Sequence, residues 1–254
     1  MAYSRAFFEF QLVFAQRLAT RFQFPLPEAL YHYTTFTVSF GATDWAKYLA
    51  GLQQAVDPVD WTYQWYLNHR DPDVTPDATL FYDSPLFGCF YYTLKRQGTV
   101  ARPHFLQNDQ PGLRPLGRER LAVRQAELRR MFVFIQHHEP QAAIVLGNSW
   151  LYNLPAYRRI YPPVYTARLP ILAEDEFQYL SLWGQCFDRN WQPQLAVTTK
   201  VLQRLDNLDE LSNLRDCFPY QIRRPQCPID VFYQHFQINK EPMTNDQSIT
   251  TQHP

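Results

Sequence analysis

Between Ala142 and Leu146 five consecutive apolar residues run into Gly147 without a polar interruption. A run of that length is too short for a stable helix and lacks the alternation of a half-exposed strand. It reads as a strand covered on both faces. This commits the chain to a sheet with material packed above and below it, and 142–147 is expected to be its central strand. Polar and aromatic groups follow at once: Asn148, Ser149, Trp150, Tyr152 and Asn153, then Pro155 and the basic aromatic segment Tyr157-Arg158-Arg159-Ile160-Tyr161. A buried strand that ends by delivering polar groups to the sheet edge is how open α/β sheets build their sites.

The rest of the chain supplies the other layers. Phe7, Phe10, Phe14 and Leu18 share one face of a helix over 4–22, with Phe8, Leu12 and Ala15 beside it and Pro25 and Pro27 after it. Residues 28–40 are open between helix and strand, Thr35 to Phe40 being β-prone. Thr43 can cap a helix running to about 55, and Asp57-Pro58 reads as the cap and first residue of another that carries Trp61, Trp65 and Tyr66. A Pro- and Asp-rich loop over 70–79 closes an N-terminal helical portion, 1–79.

An α/β core with C-terminal helices follows over 80–238. Leu86–Lys95 and Thr99–Phe105 read as two strands joined by the turn Arg96-Gln97-Gly98. After a polar loop over 106–117 comes a long helix, Arg118–His138. Leu121, Gln125, Leu128, Phe132 and Ile135 form its inner face; Glu119, Arg120, Arg124, Glu127 and Arg130 lie largely opposite. Phe177–Phe187 is the fourth strand candidate, 194–206, 208–217 and 228–236 read as helices, and 239–254 as a polar disordered tail. The fold class is therefore α/β or α+β: a mixed sheet with a ββαβ(α)β core and helices packed around it.

Composition removes several functions. Lys plus Arg and Asp plus Glu are 24 each, so no basic field invites nucleic acid. With 8 glycines against 20 prolines there is little backbone to cradle phosphate, and neither G-x-G-x-x-G nor G-x-x-x-x-G-K-[ST] occurs. Cys89, Cys186, Cys217 and Cys227 form no C-x-x-C pair, which reads as reduced thiols in a cytoplasmic protein. Glu9, Gln11, Gln16 and Arg17 interrupt the first apolar stretch, so it is not a secretory signal, and no run reaches membrane-spanning length. Aromatic residues make up 16% of the chain, enough for a ring-rich core and for a surface that receives a small molecule or a protein partner. The oligomeric state is not legible.

The candidate site gathers around 147–153. His104, at the end of a strand, can serve as general base near neutral pH or simply hydrogen-bond. Ser149 is the candidate hydroxyl, though no nucleophile elbow exists: Leu151 stands where G-x-S-x-G needs its second glycine. His104 and Ser149 are the catalytic candidates. Asn148, Trp150, Tyr152, Arg158 and Arg159 are the ligand-binding ones: the amide to orient a carbonyl, the indole to stack, the guanidiniums to hold a carboxylate or phosphate. Each also has a plain structural reading, as a cap, a core ring or a solvated charge. Cys186 is either a thiol partner for His104 or inert and buried. No metal site is read: His137 and His138 are adjacent on a helix and point about 100° apart.

From Gly98 to about Phe187, the strand ending near His104, the long helix and the segment Val145-Leu146-Gly147-Asn148-Ser149-Trp150-Leu151 resemble GNAT-like acyltransferase domains of uncharacterised bacterial proteins. The resemblance covers about a third of the chain. It implies an acyl-CoA cofactor, held by a loop of form [Q/R]-x-x-G-x-[G/A]. Arg114-Pro115-Leu116-Gly117 matches the first half; Glu119 replaces the final Gly or Ala, and Pro115 removes an amide. The expectation is a cytoplasmic acyltransferase-like protein that binds a small ligand at the sheet edge. The alternative is a non-catalytic protein that docks a partner through an aromatic surface.

Overall fold

The computed structural model describes residues 3–69, 85–106, 109, 113–172 and 176–239. The expected loop over 70–79, with the boundary drawn there, and the tail from 240 lie outside them. The N-terminal part is five helices: α1 (Arg5–Phe22), α2 (Leu26–His32), α3 (Phe36–Phe40), α4 (Trp45–Gln54) and α5 (Pro58–His69). Ser4 caps α1, its Oγ accepting the Phe7 amide at 3.2 Å. The helix ends at Gln23, in the left-handed region with φ 55°, and Pro25 opens α2 instead of merely stopping α1. Thr35–Phe40 turns helical against its β propensity. The reason is tertiary: the buried Gln11 carboxamide oxygen on α1 accepts both the amide and the hydroxyl of Thr35, at 2.8 and 3.0 Å, where α3 begins. Asp44, not Thr43, precedes α4. Asp57 caps α5 as its sequence implies, accepting the amides of Val59 and Asp60.

The sheet has four strands in the order β1 (Phe90–Lys95), β2 (Val100–Phe105), β3 (Ile144–Leu146), β4 (Gln226–Pro228). The first pair is antiparallel, β2 and β3 are parallel, and β3 and β4 are antiparallel, so the sheet is mixed. Arg96 and Gln97 both take positive φ in the β1–β2 turn, ahead of Gly98 at 88°. The long helix α6 (Leu121–His138) makes the crossover that the parallel β2–β3 pair requires. Five further helices complete the chain: α7 (Pro155–Arg158), α8 (Pro163–Thr166), α9 (Leu180–Trp183), α10 (Leu195–Asp206) and α11 (Asp230–His235).

Two expectations about the sheet change. The central strand is interior to the sheet, but only Val145 is fully buried; Ile144 and Leu146 are half-buried, so one face is partly open. The stretch 177–187 is not a strand. Leu182, Trp183, Gln185, Cys186 and Phe187 are buried, with no strand alternation, and the chain there forms α9 between two 3₁₀ turns. The fourth strand comes instead from the three residues of β4.

Side chains sort into two apolar clusters. One joins α1 to α5 with residues of 172–222, including Trp183, Val201 and Leu205 of α9 and α10. The C-terminal helix α10 thus packs on the N-terminal helices. The other joins the sheet to α6, α7, α8 and α11. Phe90, Tyr92, Ala101 and Val145 point into this second cluster. The outer face expected for α6 is partly wrong. Arg124 and Glu127 are 1% and 6% exposed. Arg124 donates to Asp109 at 2.9 Å and pairs with Glu127 at 2.9 Å, while Arg120 grips Asp109 through two nitrogens. Glu127 in turn accepts the Cys89 amide at 3.2 Å. Gly88, with φ 68°, stands where a Cβ would collide with the Glu127 carboxylate. The charges balance, two against two, which is what permits their burial.

Two outcomes are expected. Arg124→Ala leaves buried carboxylates uncompensated and should cost about 3–5 kcal/mol in a urea titration; a loss near zero would show the cluster to be hydrated. The four cysteines are buried and none is in a disulfide, and burial pushes the Cys186, Cys217 and Cys227 thiols up to about 12, 11 and 11. A disulfide reagent should therefore titrate them slowly in the folded protein and all four on denaturation without reductant.

Candidate functional site

Side chains alternate across a strand, so register decides which groups meet. Gly147 fixes the alternation at the end of β3. A Cβ there would lie 2.5 Å from the phenol oxygens of both Tyr152 and Tyr165, so this position faces the α6 side with no room to spare. The next residue, Asn148, is turned to the opposite face. The β3–β4 register pairs Val145 with Cys227 and, after the strand ends, Ser149 with Arg223. Asn148 therefore stands opposite Arg224. On the other side, Val100 pairs with Ile144 and Ala101 with Val145, where the paired positions end; by alternation Arg102 and His104 leave β2 on the same face as Leu146 and Asn148. Tyr91 lies across from His104 in β1. By alternation Tyr91, Arg102, His104, Asn148 and Arg224 fall on this second face, Tyr91 and His104 as a pair on one side and Asn148 and Arg224 in register on the other.

Electrostatics agree with this placement. Arg102 is held below the usual guanidinium range first by burial and also by the nearby charge of Arg224; Tyr179 and Tyr91 oppose the shift. Among the described residues Arg102 and Arg224 form no ion pair with a carboxylate. The His104 ring stacks on Tyr91, centroids 4.5 Å apart at 10°, and its Nε2 lies 2.9 Å from the Thr93 hydroxyl. Burial, then Arg102, then Lys95 push its pKa down to about 3. At neutral pH the imidazole is uncharged: a hydrogen-bonding group and a weak base. The Asn148 Oδ1 is buried with no hydrogen-bond partner. The Tyr3 phenol, raised by burial and by its neighbours Tyr66 and Tyr91, places the N-terminal helices close to this face.

The other candidates are distributed differently. Ser149 caps the 3₁₀ turn at 150–153, its Oγ accepting the Leu151 amide at 3.1 Å, and no basic side chain hydrogen-bonds it among the described residues. Trp150 stacks on Tyr220, centroids 5.7 Å apart at 10°. Tyr152 is buried to 1% and bonds the Tyr165 hydroxyl at 2.9 Å; its pKa rises to about 12 through burial. It belongs to a quartet with Tyr157, Tyr161 and Tyr165 and is closed to a ligand. Arg158 and Arg159 bury their Nε atoms without partners, and Arg159 donates to the Leu116 carbonyl, tying them to the 114–117 turn. The Gly117 amide is used within that turn, donating to the Arg114 carbonyl at 2.8 Å. Cys186 sits in the helical cluster, its thiol protonated, with no imidazole beside it. Of the expected set, His104 and Asn148 fall on one face of the sheet. Arg102 and Arg224 were missed. Arg102 was readable from β2, two residues before His104 on the same face; Arg224 was not, because β4 carries no sequence signal.

The pH dependence has a definite sign. His104 titrates near 3 in the folded protein against 6.5 in the unfolded chain. The unfolded state takes up the proton first, so stability present above 6.5 is lost as pH falls toward 3. The slope from this group reaches at most about 1.4 kcal/mol per pH unit. Urea titrations from pH 7 to 4 should show a shallower decline in His104→Gln than in the wild type; parallel curves would place the imidazole in water.

Comparison with family models, with curated proteins and with solved structures finds no match to this chain. The residues on this sheet face are therefore the basis for any functional reading.

Proposed function

We propose that this chain is a cytoplasmic protein that binds a small anionic molecule where the ends of β2, β3 and β4 bring Arg102, His104, Asn148 and Arg224 together. One observation carries the reading. Two guanidiniums share a sheet face with Lys95, and no carboxylate occupies any strand position on that face. A partly desolvated cation without a counter-ion costs stability, so an arrangement that keeps Arg102 there fits a site that receives an anion. The Arg fork matches two coplanar oxygens of a carboxylate or phosphate. The four buried cysteines, none of them in a disulfide, fit the cytoplasmic placement. Among the described residues no helix is long and apolar enough to cross a membrane.

Acyl transfer enters this proposal through the resemblance alone. The phosphates of an acyl-CoA would suit the two arginines, while neither an activated hydroxyl nor a strong base supports turnover. The partner-docking alternative rests on the Trp150–Tyr220 stack, whose Tyr220 ring is 39% exposed.

Calorimetry and thermal shift with inorganic phosphate, phenylacetate and acetyl-CoA test the proposal. Arg102→Gln and Arg224→Gln should each weaken the bound anion at least tenfold, about 1.4 kcal/mol. Arg102→Gln should also leave the unliganded Tm unchanged or higher, because it removes an unpaired charge. No anion raising the Tm, or a fall in stability equal to the loss of binding, would make Arg102 structural and favour the docking surface.

A further inference from the structure

We propose that the ligand is a small carboxylate carrying a neutral hydrogen-bond donor, a hydroxyl or an amide N–H, close to the carboxyl group. The inference rests on the anion-binding reading and adds what the anion must be attached to. Arg102 and Arg224 supply donors, and they call for an acceptor. Asn148 calls for the reverse. Its Oδ1 is buried and accepts no hydrogen bond from the described residues, although buried polar atoms are nearly always paired. By the β3–β4 register the residue lies opposite Arg224, on the sheet face that also carries Arg102 and His104. An occupant that satisfies all of them presents oxygens toward the arginines and an N–H or O–H toward Asn148.

The charge on the face selects between kinds of donor. Lys95, Arg102 and Arg224 project from it, and its other strand positions are Tyr91, Thr93, Val100, His104, Ile144, Leu146, Gln226 and Pro228, none of them acidic. An ammonium group would meet cations with no carboxylate to offset them, so a free amino acid is rejected. The same argument leaves the neutral donors. Tyr91 and Tyr179 border Arg102 and give the body of the ligand aromatic surface to lie against.

The probes are mandelate, phenylacetate, phenylglycine and inorganic phosphate, measured by calorimetry on the full chain. Mandelate has the carboxylate and a hydroxyl, phenylacetate lacks the hydroxyl, and phenylglycine replaces it with an ammonium. Mandelate is expected to bind at least tenfold tighter than phenylacetate and than phosphate, and phenylglycine no tighter than phenylacetate. Asn148→Ala should remove the mandelate advantage while phenylacetate is unchanged. Asn148→Asp should shift the preference toward phenylglycine, and covers the case in which the alanine variant fails to fold. Equal binding of mandelate and phenylacetate, a preference for phenylglycine or phosphate in the wild type, or a mandelate advantage that survives both substitutions would overturn the donor assignment. If all the anions bind alike and Arg102→Gln abolishes them, the anion site stands and the donor falls. If none binds, the anion site itself falls.

Discussion

The sheet depends on the close approach of Gly147 to the phenol oxygens of Tyr152 and Tyr165. No residue with a side chain fits there without displacing a buried hydroxyl pair. That contact sets the phase of the strand end. Gly147 faces the tyrosines, so Asn148 must face away, and the antiparallel register then puts Arg224 across from it. A slip of one residue would send Asn148 into the tyrosine quartet and leave the opposite face without its polar end. The two faces are therefore specified together, by one glycine.

What lies beneath is rigid for chemical reasons. Tyr157, Tyr161 and Tyr165 follow one another at helical spacing, and with Tyr152 they bury four hydroxyls that satisfy one another, two of the bonds being 2.9 and 2.7 Å. Burial raises the pKa of all four, so none ionises near neutral pH. On α6, Arg124 and Glu127 do similar work with charges: they bind the 109 position to the helix and the helix to the amide before β1. These groups anchor one side of the sheet by mutual satisfaction. The other side differs. Among the described residues Arg102 and Arg224 pair with no carboxylate and the Asn148 Oδ1 accepts no hydrogen bond.

His104 shows how environment redirects a residue type. Read alone, a histidine at a strand end is a base poised near neutrality. Stacked on Tyr91, bonded to Thr93 and set beside Arg102, it becomes a neutral group whose proton affinity is spent. Ser149 is redirected as well, by a local demand: the turn at 150–153 needs an acceptor for the Leu151 amide, and the serine oxygen is the nearest.

Local signals were enough for much of the fold. The aromatic stripe of α1, the Asp57-Pro58 start of α5, the β1–β2 hairpin, the long α6 and an interior strand ending at Gly147 all follow from short-range periodicity, caps and turn chemistry that the sequence spells out within a few residues. The same is true of His104 and Asn148 as members of one site, since both end strands of one motif. The rest was decided by contacts between distant segments. Gln11 made Thr35–Phe40 helical, burial made 177–187 helical, and Asp109 drew Arg124 inward from a face that periodicity marks as solvent. β4 is three residues long and exists only because β3 offers it a free edge, so the arrival of Arg224 opposite Asn148 could not be read from the chain. Sequence by itself determined α1, α5, α6 and the first three strands; pairing across more than seventy residues placed Arg224 opposite Asn148, because a strand register is a property of two segments and neither contains it alone.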